Sequence, residues 1–193
     1  IKERGLRKKF FKYKICTIHA FCKSKLLKKE LITYADYLNL CAENSGFKAQ
    51  RVTQSEFDND KHKFFKFLSA SFGQGRTIRE HWNSLRETSS NYYPYNNFRM
   101  IYEMKEVYDN YKKVNQVCDY NDMIKDFIDH AVVPDIDVLI VDEAQDSNVP
   151  QIKALEKMST NVKEYYMVGD ADQTIFEFAG ANADYFHKLS KDA

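Results

Sequence analysis

The sequence predicts an α/β fold, a parallel sheet carrying a mostly α-helical inserted subdomain. Three observations predict it. Residues 137–144, DVLIVDEA, run apolar side chains without alternation into a pair of acids, the pattern of a parallel strand buried on both faces. QIKALEKM (151–158) and EYYMVGD (164–170) then follow at the spacing of a strand–helix–strand unit. Upstream, residues 31–117 read mostly as helix between turn signals.

In chain order, YKICTIHAF (13–21) alternates and is β-branched in its first half, which predicts a short strand. FCKSKLLKKELI (21–32) predicts a helix with its lysines outward. KHKFFKFLSASF (61–72), TIREHWNSLRE (77–87, with Thr77 as N-cap) and FRMIYEMKEVYDNYKKV (98–114) are the clearest helical segments of the insertion. In the last, Ile101, Met104, Tyr108, Tyr111 and Val114 recur at spacings of three and four, a stripe expected to face a core. NSG (44–46), GQG (73–75) and SSNYYPYNN (89–97) are turn signals, and the last is tyrosine-rich enough to offer stacking surfaces to bases. NDMIKDFIDHA (121–131) predicts a helix that ends before Pro134, Pro150 opens another, and NADYFHKLS (182–190) predicts a third.

At 193 residues, 44% hydrophobic and 15% aromatic, the chain has enough apolar material for a core, which excludes a disordered tail. No apolar run approaches the ~20 residues of a membrane span, and IKERGLRKKFFKYK lacks a signal-peptide core. The expected location is cytoplasmic, with no membrane partner. Cys16, Cys22, Cys41 and Cys118 have no CxxC spacing and the five histidines no HxxxH pair, so reduced cysteines are expected and any metal is held through carboxylates. The net charge of +1 hides a segregation. Residues 1–30 carry 11 Lys and Arg against 2 acids, whereas residues 119–193 carry 6 against 16. A basic opening suits a phosphate backbone and an acidic close suits a cation.

The chemistry is expected at the two strand ends. Asp142 and Glu143 follow the first strand, where open α/β sheets place ligands. Successive side chains on a strand point to opposite sides, so the two acids are expected to divide their labour. One carboxylate then holds Mg²⁺ while the other serves as general base to a water, the Walker B logic of phosphoryl transfer. Asp170 ends the second strand, and Gln173 follows it by three positions, where a neutral amide senses a terminal phosphate without competing for the metal.

Four motifs carry a family resemblance. DEAQDSNVPQ (142–151) and GDADQTIFEFAGA (169–181) resemble motifs II and III of the UvrD/Rep-type superfamily 1 DNA helicases. TIHAFC (17–22) resembles their T-[FI]-H-[SGA] motif, and CDYNDMI (118–124) their D-[FY]-x-D-L segment, all in the family's order. The resemblance implies a partial RecA-like P-loop NTPase domain. Residues 1–30 would form the first part of motor domain 1A, 31–117 a helical insertion in the 1B position, and 118–193 the second part of 1A with motifs II and III.

It further implies ATP and Mg²⁺ as cofactors of the intact protein and single-stranded DNA, or a junction of single and double strand, as partner, with 3′ to 5′ movement. Asp142 would assist Mg²⁺, Glu143 would activate the hydrolytic water, and Gln173 would contact the γ-phosphate with Asp170 in support. Thr17 and His19 would line the single-strand path, Phe176 and Phe178 would contact or stack on bases, and Gln145 and Asp146 would link the nucleotide site to its neighbours. Ala179 stands where the family has arginine, and Phe176 where it has tyrosine.

None of the six glycines belongs to a G-x-x-x-x-G-K-[ST] phosphate loop. The expectation is therefore a piece of a longer helicase, inactive alone, whose Walker A segment and second RecA-like domain are supplied elsewhere in the parent. Two other readings stand beside it. One is a non-catalytic, helicase-like single-strand-binding or scaffold module, and the other is a carboxylate metallohydrolase using Asp142, Glu143 and Asp170.

Overall fold

The structure is a computed structural model, and it describes residues 14–25, 29–48, 52–59, 62–87, 97–133 and 135–170. The expected helix at 182–190 and most of the 89–97 turn lie outside them. Among the described residues the chain is a mixed helix and strand fold with two small parallel sheets and two hydrophobic clusters.

The first helix corrects the expectation for the opening segment. Residues 14–17 are not a strand. Thr17 caps α1 (Ile18–Lys23), its hydroxyl accepting from the Ala20 N–H at 3.2 Å, and Ile15 is left exposed. Capping supplies an acceptor to an otherwise orphaned helix N–H, and here that local bond prevails over the β-branched pattern. The helix stops at Lys23 rather than running on to Ile32, and Glu30–Leu31 form β1.

The next stretch is helical, as its periodicity predicts. It comprises α2 (Tyr34–Glu43), α3 (Ser45–Lys48), α4 (Gln54–Asp58), α5 (Lys63–Gly73), α6 (Ile78–Glu87) and α7 (Phe98–Asn115). Thr33 with Asp36 and Thr53 with Glu56 close capping boxes at α2 and α4. Thr77 does the same before α6: its hydroxyl accepts from the Glu80 N–H at 3.2 Å, and the Glu80 carboxylate accepts from the Thr77 N–H at 2.8 Å. Phe64 and Phe67 of α5 bury against Leu40, Phe47, Ile101 and Met104. The predicted α7 stripe is buried at Ile101, Met104, Tyr108 and Tyr111 but not at Val114, which is 70% exposed in the last turn.

The chain enters and leaves this cluster at one place. β1 pairs in parallel with β2 (Val117–Cys118), Glu30 opposite Val117 and Leu31 opposite Cys118. Asp119 then caps α8 (Tyr120–His130) in a box with Asp122. Lys112 of α7 reaches both carboxylates, 3.0 Å from Asp119 and 2.8 Å from Asp122, and the Tyr108 hydroxyl donates to Asp119 at 2.9 Å. Burial favours neutral Asp119, yet Lys112 and the Asp122 N–H hold its carboxyl below the ordinary range. Burial and the Asp119 charge push Asp122 up. Removing one partner of so enclosed an ion group costs about 3–5 kcal/mol, so α7 and α8 are firmly joined.

β3 (Ile136–Val141), α9 (Val149–Ser159) and β4 (Val162–Met167) form the expected strand–helix–strand unit, with β3 and β4 parallel in the register Ile136–Val162 to Val141–Met167. α9 opens on a box of Asn148 with Gln151 and carries Pro150 in its first turn. Cys22, Ile124, Phe127, Val141, Ala144, Leu155 and Met158 make the second cluster, so α1, α8 and α9 cover one face of the sheet. Lys157 fastens α9 to α8 by donating to the Phe127 and Ile128 carbonyls at 2.9 and 2.7 Å. The other face differs from the expectation. Val138, Ile140, Tyr166 and Val168 are 46–66% exposed, so no described residue covers the second side of β3 and β4. All four cysteines are free, as expected.

Gly75 joins the clusters. Its φ of +64° suits glycine, and a Cβ there would meet Val149 Cγ1 at 2.7 Å, so α5 turns directly against the start of α9.

His62 generates the first prediction. It is 1% exposed, ringed by Tyr37, Phe47 and Phe65, and its Nδ1 accepts from the Phe64 N–H at 3.3 Å. Burial pushes its pKa from 6.5 down to about 4. Between those values the unfolded chain binds a proton that the folded chain refuses, so this contribution is intact above pH 6.5 and is lost as pH falls towards 4. The loss is about 1.4 kcal/mol per pH unit. Urea unfolding at pH 7 and pH 5 should show that increment in the native chain, and His62→Asn should remove it.

Candidate functional site

The ends of β3 and β4 meet in a small, heavily bonded corner. Past Val141 the strand pairing continues: the Val168 N–H donates to the Val141 carbonyl at 2.8 Å and the Ala144 N–H to the Val168 carbonyl at 3.0 Å. Between these bonds the chain leaves the strand. Asp142 and Glu143 lie in a bend, and Ala144–Asp146 form a single 3₁₀ turn. The expectation that the two acids alternate across a pleat is therefore corrected. They are separated by a backbone turn in which Glu143 takes the left-handed conformation, φ 51° and ψ 42°.

That conformation costs a side chain with a Cβ about 1–2 kcal/mol. It is offset by bonds from three directions. The Glu143 N–H donates to Asp142 Oδ1 at 3.0 Å, the Asp146 N–H donates to the Glu143 carbonyl at 3.1 Å, and Gln145 Nε2 donates to Glu143 Oε2 at 2.8 Å. A hydrogen bond to a charged group contributes about 1.5–3 kcal/mol, so the last alone is of the size needed. Residues held in sparse backbone regions cluster at functional sites because the surrounding structure must over-determine them.

Gln145 also reaches across the corner. Its Oε1 accepts from the Asp170 N–H at 3.1 Å, so one amide, 2% exposed, bonds both the Glu143 carboxylate and the backbone at the end of the second strand. Gly169 permits this approach, since a Cβ there would stand 2.2 Å from Gln145 Oε1. Asp142, Glu143 and Asp170 remain exposed around the buried amide. Asp146 is half-buried, and its Oδ1 is enclosed without a partner among the described residues.

The remaining expected site residues fall into two groups. Thr17 and His19 sit at the start of α1, where His19 packs edge-on against Tyr120 of α8 at 5.4 Å and burial lowers its pKa. α1 packs on α8 and α9, so this pair flanks the same helices that support the acidic corner. Gln173, Phe176 and Phe178 lie outside the described residues. Sequence reasoning did not single out the close approach at Gly169, or Asn148 as the N-cap of α9. A glycine between an apolar strand and an acid was the signal for the first, and the N-x-x-Q spacing of NVPQ for the second.

Chemically, the corner offers three solvent-facing carboxylates, Asp142, Glu143 and Asp170, on a rigid mount. Among the described residues no group of three or more His, Cys, Asp or Glu is placed to hold a metal ion, so Asp142, Glu143 and Asp170 do not make a self-sufficient metal site. Nor is any described helix long and apolar enough to cross a membrane.

A family model described as the UvrD/REP helicase N-terminal domain matches residues 1–193. The ATP-dependent DNA helicase Rep of Buchnera aphidicola subsp. Baizongia pistaciae is 26% identical over 193 aligned positions, covering 93% of this chain and 27% of the relative. The ATP-dependent DNA helicase PcrA of Leuconostoc citreum is 34% identical over 99 positions, 45% of this chain and 13% of the relative. A putative ATP-dependent DNA helicase, YjcD, of Bacillus subtilis is 28% identical over 106 positions, 49% and 14%. The chain thus spans at most about a quarter of the length of these relatives.

The corner makes a specific demand on stability. Gly169→Ala should destabilise the fold by about 1–3 kcal/mol through overpacking. Gly169→Ala placed in a Gln145→Ala background should cost clearly less, because the obstructing amide is gone. A double-mutant cycle in urea measures that coupling.

Proposed function

Because the chain belongs to the UvrD/REP helicase N-terminal domain family, we propose that it is the part of an ATP-dependent DNA helicase or translocase that positions catalytic carboxylates against nucleotide and carries a stretch of the single-strand path. In this reading β3 and β4 belong to a RecA-like sheet completed by other parts of the protein, and movement is 3′ to 5′ along DNA. Residues 1–30 and 118–193 are two parts of motor domain 1A, and residues 31–117 are an inserted 1B-like subdomain. The side-by-side pairing of β1 and β2 supports that division, since an inserted unit must begin and end at one place.

The observation that carries the reading is the Gln145-braced turn presenting Asp142 and Glu143 at the end of a parallel strand. The donor set fits magnesium. Exposed hard carboxylates, with no group of three acids placed around one point among the described residues, suit an ion that would complete its shell with water and phosphate oxygens. When bound, Mg²⁺–ATP supplies the transferable phosphoryl group and the charge that polarises it. Asp142 holds the ion, and Glu143 orients the attacking water and takes its proton. Gln145 fixes the Glu143 carboxylate by donating to one oxygen, leaving the other to face solvent and reactant. Asp170 supports the phosphate side, Gln173 contacts the γ-phosphate, and Asp146 with Gln145 ties the site to its neighbours. Thr17, His19, Phe176 and Phe178 line the DNA path, beside the basic residues 1–30. Phosphate cradling by a Walker A loop, and closure by a second RecA-like domain, come from outside these 193 residues.

One feature favours the second reading, a single-strand-binding module without hydrolysis: no glycine of the chain stands in a phosphate loop. The two readings separate in the parent protein. Glu143→Gln there should lower DNA-stimulated phosphate release by at least a hundredfold while nucleotide binding persists, and the 193-residue chain alone should release none. An unchanged rate in Glu143→Gln, or no DNA-stimulated release in the unaltered parent, rejects the catalytic role.

A further inference from the structure

Where α4 and α5 face β1 and the start of α8, the fold leaves a cleft of about 340 Å³, walled by Leu31, Ile32, Phe57, Phe65, Leu68 and Tyr108. That volume lies in the range of small-molecule sites, which favour the seams between structural units. This is such a seam, since Phe57 and Leu68 belong to the helical cluster and Asn121, also in the lining, belongs to α8. Walls of this kind accept a hydrocarbon body without stranding a polar group.

Charge decides what else the ligand carries. Asp58 and Asp119 stand in the lining, and no lysine, arginine or histidine does. Next to the cleft, Lys112 answers Asp109, Asp119 and Asp122 at 3.7, 3.0 and 2.8 Å, and Lys105 also pairs with Asp109. Two ammonium groups against three carboxylates leave that group formally negative by one charge. Asp58 adds another at the rim, where it is exposed and has no ion-pair partner among the described residues. The field in the cleft therefore repels an anion and attracts a cation.

Solvation places the cation. Asp119 is already served by the Tyr108 hydroxyl, Lys112 and the Asp122 N–H, so it has no use for a further donor. Asp58 keeps its contact with water, and a charge that pairs there stays partly hydrated, which avoids the heavy cost of burying an ion. Ser69 and Asn121 are half-buried lining residues that make no hydrogen bond among the described residues, so each offers an oxygen to an N–H donor.

We propose that this cleft binds a small organic cation, an ammonium or guanidinium group on an apolar body, with the body between Phe57, Leu68 and Tyr108 and the charge at Asp58. The site shares no residue with the acidic corner and stands independently of the helicase reading. Its occupant touches the helical cluster and α8 at once, and so braces the seam between them.

The test is fluorine NMR of the 193-residue chain with two probes of nearly equal shape, fluorinated phenethylamine and fluorinated phenylethanol, at low salt. The amine should bind about fivefold or more tighter than the alcohol, the gain expected of a partly exposed ion pair beside aromatic rings. Asp58→Asn, a change at an exposed position, should bring the amine down to the affinity of the alcohol and leave the alcohol unaffected. Amide spectra locate the site: the side-chain amide of Asn121 should shift with added amine while the Asp170 amide does not. Equal affinity of the native chain for the two probes overturns the proposal, as does binding of neither. A preference for the amine that survives in Asp58→Asn, or an unmoved Asn121 amide, places the cation elsewhere and overturns it too.

Discussion

The candidate site depends on one buried side-chain amide. Two parallel strands cannot be closed by a hairpin; they need a crossover, and α9 is that crossover. The strand ends are therefore joined by nothing covalent and nearby, and both carry exposed acids whose mutual repulsion favours splaying. Gln145 counters this by donating to Glu143 and accepting from the Asp170 N–H. A charged residue in its place would add to the local charge, and an apolar one would leave the Asp170 N–H and the Glu143 carboxylate without their partner. Below the amide, Val141, Ala144, Leu155 and Met158 pack with Phe127, so the mount is rigid from beneath as well as across.

The helical cluster hangs from this platform by few but strong links. Its entry and exit are zipped by β1 and β2, and its last helix is tied to α8 by Lys112 between two carboxylates. Packing adds Phe72, which lies in α5 but packs against the platform cluster, and the contact of Gly75 with Val149.

Much of this was legible in the sequence because regular elements leave periodic traces. The α7 stripe, the β3 run, the caps at Thr77 and the Pro150 start were all read from spacing and turn chemistry, and the family from four motifs in order. The failures have physical causes. β1 and β2 are two residues each, too short for any period to show. The 13–21 segment alternates like a strand, but a threonine hydroxyl poised over an N–H makes α1 locally favourable. Val114 continues a helical stripe past the point where α7 has core to face. An unbroken apolar run announces a strand to be covered on both sides, yet says nothing of what covers it, and the described residues cover one side of β3. Left-handed Glu143 was invisible because its cause is tertiary, the bond from Gln145 and the pairing of Ala144 with Val168.

Among the described residues, acids gather at the strand ends, at Asp142, Glu143 and Asp170. The account turns on Gln145 physically joining those ends. Hydrogen exchange of the Asp170 amide tests this most directly, compared between the native chain and Gln145→Met, with the Asp122 amide at the α8 cap as internal reference. The account predicts a protected Asp170 amide whose exchange speeds at least about tenfold in the variant while Asp122 is unchanged. Equal Asp170 rates in the two proteins would contradict it.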